Sequence, residues 1–138
     1  MSEIITRSTK IRITTYDIDG RAEGIIKIIK KYQNFIPQWV KFIGIKSDSS
    51  VDYCQINLMR SNNTIVLEVS PNWIVEERDI VHELVHAFFA NQDIFFAHSI
   101  LPLLDKNIRQ VISDLYEKQV EQDTENIAEM LLELFKED

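Results

Sequence analysis

Two histidines and a glutamate stand together in the run His82-Glu83-Leu84-Val85-His86. On an α-helix, residues four apart project from the same face with about 6 Å between them, so both imidazoles can reach one metal ion. Glu83 falls beside that ion, where a carboxylate can hold and deprotonate a water without being a ligand. Two histidines at this spacing can also be a solvated helix face. Against that reading, they are two of only three histidines in the chain, and an apolar stripe occupies the opposite side of the same segment. Two imidazoles and a carboxylate suit Zn2+ best.

A catalytic zinc site needs a third protein ligand. A metzincin-type extension requires glycine at position 89 and histidine at 92, and the chain has Phe89 and Gln92. The remaining histidine, His98, lies in the apolar run Phe95-Phe96-Ala97-His98-Ser99-Ile100 and reads as structural. Carboxylates are better candidates. Glu121 and Glu125 lie one helical turn apart beside the inward stripe Val120, Thr124, Ile127 and Leu131, and Glu117 lies one turn earlier. One of them can bind the metal while another accepts the far N–H of a ligand histidine and fixes its tautomer.

With these residues the chain resembles the gluzincins, the thermolysin-like zinc peptidases, in the reduced form of the minigluzincins and of short HExxH proteins of phages and other mobile elements. In that class the HExxH helix is followed by a second helix carrying Glu-x-x-x-Asp. The resemblance implies a zinc held by His82, His86 and Glu121, with Glu125 in place of the aspartate that supports a ligand histidine. It covers roughly residues 64 to 132. It also implies a strand, Thr64 to Val69 with Ile65, Val66, Leu67 and Glu68 at its centre, whose open edge pairs with an extended substrate; main-chain pairing at a free edge is a general way to bind peptides.

Several elements must position these residues. Lys10 to Tyr16 alternates like a strand, and Arg21 to Phe35 repeats Ala22, Ile25, Ile26, Ile29 and Tyr32 at helical spacing. Trp39 to Ile45 is β-rich. Tyr53 to Arg60 and Thr64 to Ser70 flank the turn cluster Ser61-Asn62-Asn63 and predict a hairpin in a half-covered antiparallel or mixed sheet. From about Val75 to Ala90 the period becomes helical, with Ile80, Val81, Leu84, Val85, Phe88 and Phe89 on one stripe and acids in the first turns. Residues 91 to 105 are apolar but irregular. Lys106 to Phe135 is helical again, as one helix or two. The expected architecture is a single α+β domain over residues 1–138, with a small zincin-like fold.

Composition limits the alternatives. One chain of 138 residues with 45% hydrophobic and 27% charged content has the makeup of a single globular domain. No apolar run approaches the roughly 20 residues of a membrane span. The net charge of -7 argues against nucleic acid as a partner. Residues 61–138 carry sixteen Asp/Glu against five Lys/Arg, so acid is concentrated where the third ligand is sought. A lone cysteine, Cys54, and a first segment without signal-peptide features lead to an expected cytoplasmic location. The expected function is metallopeptidase hydrolysis of a protein or peptide substrate, with Glu83 as general base acting on a zinc-activated water. Tyr116 and His98 are candidates for an oxyanion donor. The alternative is a catalytically silent or latent zinc-stabilised module with a role in assembly or regulation.

Overall fold

The computed structural model describes residues 2–5, 10–16, 18 and 20–136. The chain is α+β, with one mixed sheet packed on helices. The strands are β1 (Ser2–Ile5), β2 (Ile11–Tyr16), β3 (Phe42–Ser47), β4 (Cys54–Met59) and β5 (Thr64–Val69), and their order across the sheet is β1-β2-β3-β5-β4. The pairs β2–β3 and β3–β5 are parallel, while β1–β2 and β4–β5 are antiparallel.

The first helix, α1 (Arg21–Lys31), connects β2 to β3 and supplies Ile25, Ile26 and Ile29 to the core. Parallel neighbours need such a crossover, which explains why a helix intervenes here and only a short turn joins β4 to β5. That turn is a single 3-10 turn, Arg60–Asn62, closed by Asn63 at φ 54°. Asparagine tolerates this left-handed backbone better than most residues. The carbonyl of Asn63 then accepts the N–H groups of Lys41 and Phe42 at 2.8 and 3.1 Å, which fixes the hairpin against the start of β3.

Alternation places Ile11, Ile13, Ile43, Ile45, Ile65, Leu67 and Val69 on the covered face, each at most 1% exposed. Arg12, Phe42, Gln55 and Asn57 are exposed. The second helix, α2 (Glu77–Phe88), buries Ile80, Val81, Leu84 and Val85 against the same core. Its first turn is secured by Asp79, whose Oδ2 accepts the Glu76 backbone N–H at 2.9 Å and the Trp73 indole N–H at 3.1 Å. Acids there also suit the positive end of the helix dipole.

The irregular stretch resolves into a short helix α3 (Ala90–Phe95), a π-helical turn at Phe96–Ile100 and a 3-10 turn at Leu101–Leu103. The last element is one helix, α4 (Lys106–Leu134), started by Asp105, whose side chain accepts the Asn107 N–H at 2.8 Å. Its buried residues, Val120, Thr124, Ala128 and Leu131, all fall in its second half. Among the described residues, no helix is long and apolar enough to cross a membrane.

One expectation is overturned. Thr64 to Val69 is not an edge strand: β5 lies between β3 and β4 and is paired on both sides. Ile65 and Leu67 are fully buried and Glu68 is 4% exposed. The edge belongs to β4, because the hairpin turns outward and the parallel pairing of β3 with β5 places the later strand inside.

Candidate metal centre

The stripe that buries α2 leaves His82, Glu83 and His86 on the opposite side, facing α4 and β4. Both imidazoles present Nε2 to a common point, with the two atoms 3.2 Å apart. Glu121 of α4 reaches the same point, with Oε1 2.9 Å from His82 Nε2 and Oε2 3.4 Å from His86 Nε2. The three residues can each offer one donor atom with all donors inside 4.8 Å of one another.

This donor set fits a tetrahedral cation. Bonds of about 2.0–2.1 Å to zinc place neighbouring donors roughly 3.3–3.4 Å apart, close to the separations found here. Burial, the largest effect, lowers the pKa of His86 and favours the neutral imidazole that a metal requires, against the opposing charges of Glu121 and Asp93. The histidine side chains are 24% and 23% exposed and that of Glu121 is 51% exposed, so the centre lies open to solvent on one side.

Glu83 lies beside the three donors but is not one of them. Burial first, and then the negative charge of Glu121, push its carboxyl up from 4.5 to about 7, although the backbone N–H of Ile56 hydrogen bonds to it and opposes the shift. Ile56 belongs to β4, so the edge strand runs directly past the site. Gln55, Ile56 and Leu58 of that strand line a cavity of about 410 Å³ with His82, Glu83, His86, Asp93 and Glu121.

Of the glutamates weighed on α4, only Glu121 joins the histidines. Glu117, one turn earlier, lines an adjoining cavity with Tyr116 and Val120 that also reaches His86 and Glu121. Glu125, one turn later, is exposed and shares a cavity with Arg78 and Asp79 on the His82 side. Among the described residues no hydrogen bond joins Glu125 to either histidine, and its side chain is exposed. His98 is exposed on the π-helical turn, outside the cluster.

One residue of the site escaped the sequence. Asp93 of α3 acts electrostatically on His86 and accepts the Tyr116 hydroxyl at 2.7 Å. The Tyr116 hydroxyl is raised to about 12, by burial first and by this bond to Asp93 second, so it stays protonated and donates. The Tyr116 ring stacks on Phe96, with centroids 3.8 Å apart and planes 6° from parallel. Asp93 stands seven residues, about two helical turns, beyond His86, but α2 ends at Phe88 and the irregular apolar segment that follows hides the relation in the sequence.

Compared with known proteins, the chain matches no family model, no curated protein and no solved structure.

Proposed function

We propose that this chain is a zinc-dependent peptidase of the small gluzincin type, with a zincin-like fold. The observation that carries the reading is the convergence of His82, His86 and Glu121 from two helices, with Glu83 beside them and held near neutrality. His82, His86 and Glu121 would hold the zinc, which when bound would supply Lewis-acid polarisation of the scissile carbonyl and lower the pKa of water toward about 7.

The chain's own residues would do the remaining work. Glu121 adds a carboxylate to two imidazole nitrogens, a donor set that suits a divalent cation. Glu83, buried beside the three donors, is placed to take a proton from water and return it to the leaving amine. The β4 edge beside the site offers main-chain groups to an extended peptide, the part first expected of β5.

The test is direct. Protein purified without chelator should carry one zinc per chain, and capped peptides should be cleaved by it, as followed by mass spectrometry. Glu83→Gln should keep the zinc and lose about 10²–10⁴-fold in turnover. Undiminished cleavage by Glu83→Gln would overturn the mechanism. Zinc retained without any cleavage would favour the non-catalytic zinc-stabilised module.

A further inference from the structure

Beside the metal centre, on the His86 and Glu121 side, opens a second cavity of about 470 Å³. Its walls are the stacked pair Phe96 and Tyr116 with Leu101 and Val120, and its polar lining comprises the carboxylates of Asp93, Glu117 and Glu121 with His86 and Ser113. Among the described residues, no lysine or arginine lines it. Asp93 uses Oδ1 to accept from Tyr116, whereas Oδ2 takes no hydrogen bond from any described residue. Because Asp93 also lines the cavity along β4, it stands where the two spaces meet at the metal centre.

A long apolar wall ending in carboxylates without a cationic partner is complementary to one kind of side chain. The stem of a lysine or arginine covers apolar surface while its charged head seeks an acceptor. The stacked rings of Phe96 and Tyr116 present a flat face for that stem, and a guanidinium or ammonium near an aromatic face gains further attraction. A neutral aliphatic chain would fill the walls and leave Asp93 Oδ2 desolvated without a hydrogen-bond donor, which costs free energy. An acidic chain would meet Asp93, Glu117 and Glu121 together.

We propose that this cavity is a specificity pocket for a basic side chain, lysine or arginine, on the substrate residue flanking the bond to be cut, and that Asp93 is the residue that selects it. For turnover the proposal rests on the peptidase reading above; for binding it does not. Glu117, exposed at the mouth, would add a weaker and salt-sensitive attraction.

The experiment separates the two. Zinc-loaded Glu83→Gln protein is titrated calorimetrically with capped peptides Ala-Ala-Ala-Xaa-Ala-Ala-Ala, where Xaa is lysine, norleucine or glutamate. Norleucine has the stem of lysine without its charge. The lysine peptide should bind about tenfold or more tightly than the norleucine peptide, the worth of one charge-assisted hydrogen bond, and the glutamate peptide weakest. In the Asp93→Asn, Glu83→Gln double variant, where asparagine can still accept from Tyr116, the lysine-to-norleucine ratio should fall to near one. A merely structural role for Asp93 would weaken all three peptides alike. Equal binding of lysine and norleucine peptides, or a ratio that Asp93→Asn does not change, overturns the pocket assignment. The same peptides given to the zinc-loaded wild-type protein read the other question. Lysine-selective binding without cleavage would sustain the pocket and defeat the peptidase reading, while cleavage without preference for lysine would do the reverse.

Discussion

Glu121 Oε1 lies 2.9 Å from His82 Nε2, and this contact joins α2 to α4, two helices that pack against each other. A cation at the junction would therefore act as a tie as well as a reagent. Whatever binds the folded state alone stabilises it, by about 4 kcal/mol when free zinc exceeds its dissociation constant a thousandfold. For a domain of this size that corresponds to a rise on the order of ten degrees in Tm. Chelator should lower Tm by that amount, and His82→Ala, His86→Ala and Glu121→Ala should each abolish the difference. Glu117→Ala and Glu125→Ala should preserve it, since neither carboxylate meets the histidines. Loss of zinc in Glu125→Ala with retention in Glu121→Ala would show that the third ligand lies in the other register.

Glu83 makes metal-free stability depend on pH. Its carboxyl is raised from 4.5 to about 7, chiefly by burial, so the folded state holds the proton more tightly than the unfolded chain. The stabilising contribution is complete below pH 4.5 and is lost as pH rises through 7. His86 acts in the opposite direction, because its pKa is lowered and its contribution is lost on acidification. The difference between wild type and Glu83→Gln isolates the glutamate. Urea unfolding in chelator should show wild type losing stability relative to Glu83→Gln between pH 5 and 8. A constant difference across that range would mean that Glu83 ionises as an ordinary carboxylate.

Much of this arrangement can be read from the order of residues, and the parts that cannot have physical reasons. HExxH is a local pattern on one helix, so its three side chains share a face whatever the rest of the chain does. The hairpin is equally local, with Asn63 taking the backbone turn its type tolerates. Strand order is different: that β3 pairs with β5 rather than β4 is decided by tertiary packing, and alternation alone describes an inner strand and an edge strand in the same way. Residues 91 to 105 lacked a helical period because a π-helical turn breaks the 3.6-residue repeat at Phe96–Ile100. Ile108, Val111 and Leu115 of α4 are 48%, 57% and 58% exposed, so an apolar stripe there marks a helix without marking core. Asp93 meets Tyr116 only once α4 has packed against α2.

Cys54 on β4 should be chemically quiet despite lying at the edge of the cavity that holds Glu83. Burial above all, with the charges of Glu83 and Asp79, pushes its thiol up from 9.0 to about 12. Alkylation proceeds through the thiolate, which an ordinary cysteine of pKa about 8.5 supplies in quantity at pH 8. Iodoacetamide at pH 8 should modify native protein at least a hundredfold more slowly than protein in denaturing urea. Comparable rates would show that the thiol is solvated and that β4 does not pack as described.

The place of β5 inside the sheet makes a prediction that an edge strand would not. Leu67 is 0% exposed and sits on the covered face, flanked by Ile45 of β3 and Ile56 of β4. Leu67→Ala removes side-chain volume that no neighbour can easily replace, because both adjacent strands are held in register by paired backbone. Such truncations cost about 2–5 kcal/mol, the transfer of the lost methyl groups and the cavity left behind acting together. Leu58, on β4, is 36% exposed and faces the open side of the candidate site. Leu58→Ala leaves room that water can enter and should cost less than about 1 kcal/mol. Urea denaturation of the two variants measures the contrast directly. Equal small losses would place both strands at an edge and contradict the order β1-β2-β3-β5-β4, and with it the assignment of β4 as the strand along which a peptide lies.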